Sequence, residues 1–186
     1  MRRRVLGDDD VNTMVAVGCL ANTHMSMGNY DAALPLMTEN LERTRRVEGD
    51  DSADTLLCMT NLAALHRNMG RNHLALPLLR DALQRSRRVL GNRHPQTLYT
   101  MENMGVSLCL GGDTAAGIVL LEEAVAGSTA VLGADHPCTR KAREKLDWVM
   151  QQDSGSESVQ SEKEQEEGPE DESIATRVRK RRRHAA

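Results

Sequence analysis

Aromatic side chains are nearly absent from this 186-residue chain, which has no Phe, two Tyr and one Trp. A platform for stacking nucleic-acid bases has little to be built from. A basic excess is missing too: 24 Lys and Arg stand against 27 Asp and Glu, a formal net charge of −3. That balance excludes bulk nucleic-acid binding, which needs a basic face to displace counterions. No C-x-x-C occurs among Cys19, Cys58, Cys109 and Cys138. Buried or half-buried free thiols in a reducing compartment are expected, not disulfides or a zinc site. No apolar run approaches the length of a membrane span. Met1 to Arg4 lead into Val5-Leu6-Gly7 and three aspartates, without the apolar stretch of a secretory signal. A cytoplasmic protein without membrane contact is expected.

Catalytic signatures are also lacking. Neither a phosphate loop, an H-E-x-x-H, a G-x-S-x-G nor a dinucleotide fingerprint is present. Glu122 and Glu123 are adjacent, so on a helix they point about 100° apart and share no proton site. The reading is of a protein with no enzymatic activity, no cofactor and no metal. His24 and His66 recur at one spacing and are read as core histidines with hydrogen-bond partners.

What is present is a period. Gly7, Gly49, Gly91 and Gly133 stand forty-two residues apart, as do Thr13, Thr55, Thr97 and Thr139. A fixed period of this size marks a stacked array of like supersecondary units. Three units can be aligned, 6–47, 48–89 and 90–131, followed by one helix over about 137–152. In each unit a large residue precedes a small one (Leu20-Ala21, Leu62-Ala63, Met104-Gly105). Gly28, Gly70 and Gly112 then end one helical pattern before the next begins. Leu36, Leu78 and Leu120 open a second apolar stripe at helical spacing. Asp10, Ser52, His94 and His136 fall at equivalent N-cap positions, with Pro95 and Pro137 at the first helical residue. Pro35 and Pro77 lie past the first turn of second helices, where a mild bend is expected. The fold expected is all-α: three helix hairpins plus a closing helix in an α-α solenoid over 1–152.

The second unit carries a family resemblance. Asn61-Leu62-Ala63, Gly70, Ala75-Leu76-Pro77-Leu78-Leu79, Ala82-Leu83, Arg87 to Gly91 and His94-Pro95 resemble tetratricopeptide repeats of the kinesin-light-chain-like type, and the resemblance spans roughly residues 2–150. It implies a superhelix whose first helices line a concave groove, and a scaffold that binds a protein or peptide partner. The groove residues it implies are Leu57, Asn61, Ala64, Arg67, Asn68, Tyr99, Asn103 and Val106. Asn61 and Asn103 fall where the family grips a ligand backbone; the other reading is that these amides bridge helices inside the stack. Thr60 and Glu102 are placed on the same inner side. Trp148 is read as packing on the third unit, the alternative being that it points into the groove.

Both ends depart from the repeat. Arg3-Arg4-Val5-Leu6-Gly7 matches Arg87-Arg88-Val89-Leu90-Gly91, as if the chain opened inside the last turn of an earlier unit. Either a longer array or self-association through the uncapped first helix is expected. A spacer or oligomerisation segment is the alternative function. From residue 153 to 186 the composition turns acidic and then basic, and a disordered tail is expected. Its cluster Arg177 to Arg183 reads as a nuclear localisation signal or as a solvated charged end.

Overall fold

Seven helices and no strand make up residues 10–166, the part of the chain that the computed structural model describes. α1 (Val11–Ser26) and α2 (Tyr30–Glu48) form the first hairpin, α3 (Ala53–Asn68) and α4 (Asn72–Val89) the second, and α5 (Pro95–Leu110) and α6 (Thr114–Leu132) the third. α7 (Pro137–Glu166) begins where expected and continues past the expected end near 152. One compact unit ends at Val149, and a second starts at Met150 with the end of α7. The Arg3–Gly7 motif and the basic cluster at 177–183 lie outside the described residues.

The hairpins start alike because their caps are alike. Asp10 Oδ1 accepts from the N–H groups of Asn12 and Thr13 at 2.9 and 3.3 Å. Ser52 Oγ accepts from Thr55 N–H at 3.0 Å. His94 and His136 accept through Nδ1 from Gln96 and Cys138, each at 3.2 Å. These histidines cap helices, as the spacing predicts. In the second unit the recurrent threonine adds to this device, whereas the Oγ1 atoms of Thr13, Thr97 and Thr139 have no hydrogen-bond partner among the described residues. Thr55 Oγ1 donates to the Gly49 carbonyl at 2.7 Å, tying the loop to the helix it precedes. Gly49 itself has φ 92° and ψ 168°, a region essentially closed to residues with a Cβ. Ser52→Ala removes the cap and a hydroxyl partner of Thr55. We expect a loss of about 1 kcal/mol, read as a drop of roughly 4 °C in a circular-dichroism melt.

The core is a relay, not a single centre. Ala21, Met37, Leu41, Leu56, Met59 and Leu62 join α1, α2 and α3. Ala63, Ala75 and Leu79 follow with Met104 of α5 packed on them. Leu83, Leu98, Met101 and Ala124 join α4, α5 and α6. Val106, Leu121 and Val149 bring in α7. Each cluster takes side chains from neighbouring hairpins, so no hairpin buries its apolar face alone.

Several expectations are corrected. α6 is long and apolar enough to cross a membrane by length and composition, although Glu122 and Glu123 interrupt its apolar run. In this fold α6 is the second helix of a hairpin, with Gly117, Leu121, Ala124 and Ser128 packed inward. Nδ1 of His24 and of His66 has no hydrogen-bond partner among the described residues, so the expected partner is missing. Burial, then the charges of Arg71 and His73, push His66 below its ordinary pKa. Cys19 and Cys138 are exposed rather than buried. Pro35 and Pro77 need no such correction: a bend without a break is expected there, and α2 and α4 run unbroken through both. Both prolines lie on the exposed side, where water satisfies the carbonyl that loses its donor.

Candidate functional site

Besides its hairpin partner, α3 touches the first helices of both neighbouring hairpins, α1 and α5. Second helices meet only through side chains, as where Arg87 of α4 reaches Glu123 of α6 at 3.1 Å. The crowded side, lined by first helices, is the inner face. Three registers run along it at the repeat spacing: Val15, Leu57, Tyr99 and Lys141; Cys19, Asn61, Asn103 and Lys145; Asn22, Ala64, Val106 and Trp148. Their chemistry changes along the stack, from neutral thiol and amide in α1 to cation and indole in α7.

The expected groove residues divide between two clefts and the interior. Leu57 and Asn61 line a cleft of about 160 Å³ with Val15, Cys19 and Asn22, over Asn40 and Thr44 of α2. Arg67 and Val106 line a second cleft of about 310 Å³ with Lys141, Glu144, Lys145 and Trp148. Asn68 is exposed and lines neither. Ala64 is 3 % exposed and Asn103 only 2 %.

A polar network explains the burial of Asn103. Its Nδ2 donates to the Tyr99 carbonyl at 2.8 Å. Its Oδ1 and its carbonyl accept from the Arg67 guanidinium at 3.1 and 3.3 Å. For Asn103, then, the reading as a bridge within the stack holds, and the amide is not presented to a ligand. Asn61 differs. Its Oδ1 accepts from the Tyr99 hydroxyl at 3.2 Å, its Nδ2 has no partner among the described residues, and the residue borders the first cleft. Burial holds the Tyr99 phenol above its ordinary pKa. Burial lowers the Arg67 pKa, but a guanidinium remains charged at neutral pH.

Two other inner-face expectations are corrected. Thr60 is fully buried, with its Oγ1 3.0 Å from Thr100 Oγ1. Glu102 is 5 % exposed and paired with Lys145 Nζ at 2.8 Å. Trp148 does not pack away; it is 44 % exposed and lines the second cleft. Lys141, Glu144 and Lys145 are not among the expected groove residues, because the three aligned units stop before the closing helix; Trp148 is the one residue there for which the groove is an alternative. The register extended by one more period reaches all four.

A run of two-helix units, each sharing its interior with the next and leaving the first helices as an inner wall, defines a solenoid scaffold protein. The sequence matches the tetratricopeptide-repeat family profile over residues 9–85 and 59–126. The chain belongs to that family, whose arrays are in general protein–protein interaction scaffolds. Its fold is also that of solved kinesin-light-chain-like arrays. A single-substitution form of a candidate kinesin light chain from Podosopora anserina, with nearly identical TPR-like repeats, superposes with TM-score 0.65 at 20% identity, over 88% of this chain and 77% of that one. A second structure of the Podosopora anserina protein gives TM-score 0.62 at 19% identity, over 88% and 78%. BtubC (BKLC) from P. vanneervenii gives TM-score 0.63 at 16% identity, over 86% and 69%. The comparison with curated proteins gives no match.

Proposed function

We propose that the protein captures an extended peptide or a helix of a partner along its inner face, anchored at the cleft shared by α3, α5 and α7. One observation carries this reading: Arg67, Lys141 and Lys145 converge there with Trp148 and Val106. Lys145 is neutralised by Glu102. Among the described residues Arg67 bonds only to neutral oxygens of Asn103, and Lys141 pairs with no carboxylate. Against Glu144 the cleft keeps a net positive charge. It therefore suits an acidic residue beside a large apolar one, with the indole offering flat contact area at low entropic cost. In fluorescence anisotropy with a labelled peptide bearing an acidic–apolar pair, Trp148→Ala and Lys141→Ala should each weaken binding by roughly tenfold. Both sites are exposed, so the thermal midpoint should stay in place. Unchanged affinity in both variants would remove this cleft as the anchor. Asn103→Ala should instead lower stability, because it leaves the half-buried Arg67 short of an acceptor.

A second reading, contact with another helix through the α1 face, has its own support. α1 contains no Asp, Glu, Lys or Arg. Leu20 is 49 % exposed while its repeat equivalent Leu62, covered by α2, is 7 % exposed. Light scattering on wild type and Leu20→Glu tests whether a second copy covers it: a monomer in both would exclude self-association there.

A further inference from the structure

The first cleft, at the other end of the inner face, breaks the repeat at several positions that converge on one spot. Its walls come from α1 and α3, and its floor from α2. Gly18 stands where the other first helices have Thr60, Glu102 and Glu144. A Cβ at Gly18 would come within 3.2 Å of Asn40 Nδ2, so the missing side chain is what leaves Asn40 room. Asn40 stands where the other second helices have Ala82 and Ala124, both fully buried. Glu48 stands where they have Leu90 and Leu132, and Asp54 replaces Gln96 and Cys138. All four residues border the same cleft.

These departures have a shared chemistry. Asn40 is 8 % exposed; its Nδ2 donates to Cys58 Sγ at 3.3 Å, and its buried Oδ1 has no hydrogen-bond partner among the described residues. A buried, unpartnered acceptor is costly, and alanine at this position would avoid that cost. Among the described residues Glu48 and Asp54 form no ion pair, and no Lys or Arg lines the cleft. Burial, with Asp54 and Glu48 adding to it, raises the Cys58 thiol above its ordinary pKa, consistent with a locally negative field. Met14, Val15 and Leu57 supply apolar wall. At ~30 Å³ per water the cleft holds about five waters, room for one long side chain and not for a folded segment. An apolar sleeve with acceptors at its floor and two carboxylates beside it matches an aliphatic stem that ends in a cation.

We propose that the cleft between α1 and α3 receives a lysine or arginine side chain of the peptide captured on the inner face. This rests on the inner-face reading and adds a second anchor of opposite charge to the one at Arg67 and Lys141. The two anchors then fix the direction in which the peptide lies, since a reversed peptide would bring like charges together at both ends.

The test is selection of a random eight-residue peptide library on the full-length protein, with an unrelated helical repeat array as control. Selected peptides should carry Lys or Arg at one fixed position and an acidic residue at another. In anisotropy on a selected peptide, norleucine in place of its lysine (norvaline for an arginine) keeps an aliphatic stem and removes the charge. Affinity should fall by roughly tenfold, and Glu48→Gln with Asp54→Asn in the protein should cause a similar loss. Asn40→Ala, which restores the residue of the other repeats, should weaken the same peptide without lowering the thermal midpoint. Selection of acidic–apolar peptides with no fixed basic residue, or full affinity of the uncharged peptide, would overturn the cationic anchor and leave inner-face capture standing. No enrichment over the control array would overturn both.

Discussion

Alanine at Gly117 is expected to destabilise the protein, although alanine is the better helix former. Gly117 of α6 lies against Gly105 of α5. A Cβ there would stand 2.7 Å from the Gly105 carbonyl oxygen and 3.0 Å from the Cys109 backbone nitrogen. Backbone atoms cannot turn aside as a side chain can, so α5 and α6 must separate. Helix propensity favours alanine by about 1 kcal/mol. Forcing extra volume into a packed contact costs typically 1–3 kcal/mol and at times more, and here the obstacle is backbone on the facing helix. We expect a net loss of roughly 2 kcal/mol, read as a fall of about 4–8 °C in the thermal midpoint. Gly127→Ala is the control, because its Cβ would meet only the Leu98 side chain, nearest at 2.5 Å, which can rotate away. A rise in midpoint for Gly117→Ala would show that the two helices do not approach at this point.

The second large effect is expected at the junction of α5 and α7. Glu102 is 5 % exposed, and its carboxylate is held by Lys145 Nζ at 2.8 Å. The same ammonium lies 5.6 Å from the centre of the Tyr99 ring. Lys145→Met keeps much of the stem and removes the charge, leaving a buried carboxylate without its cation. Breaking such a pair from one side costs about 3 kcal/mol, less what water reaching the half-exposed lysine site recovers. The double variant Glu102→Leu with Lys145→Met should be closer to wild type than Lys145→Met alone, because no charge is then left buried. Urea denaturation of the two single variants and the double variant closes the cycle. Equal stability of Lys145→Met and wild type would place Glu102 in water.

The two effects differ in how far the sequence foretells them. Gly105 and Gly117 align with alanines in the first two units, so their smallness is visible in the repeat. Read alone, Gly117 suggests only lower helix propensity. That it faces Gly105, and so sets how closely two helices approach, depends on the crossing of α5 and α6. The Glu102–Lys145 pair spans 43 positions, one more than the period, and joins a residue expected on the inner side to one on the closing helix. Residues on facing first helices, one unit apart, are neighbours in this fold, and that adjacency is a property of stacking.

The candidate site shows the same division. Leu57, Asn61, Arg67 and Val106 border clefts on the inner face, where the repeat register puts them. Asn103 has the same residue type and register as Asn61 but is buried, because Arg67 and the Tyr99 carbonyl occupy both ends of its amide. Register fixes the helix and side of a residue; the neighbours on the next helix fix whether its polar atoms remain available. Trp148 shows the converse, a lone aromatic that lines a cleft where α7 extends the inner wall.

The sequence by itself determined the number of hairpins, their caps and turns, and the helix side on which each side chain falls. Those are local consequences of capping, glycine conformation and helical period, and each repeats at the same spacing. Only the tertiary structure decided which inner-face groups are satisfied by the stack and which remain open to a ligand. The reason is that hydrogen bonding and burial depend on what the adjacent helix presents, and positions forty-two residues apart share a register but not their neighbours.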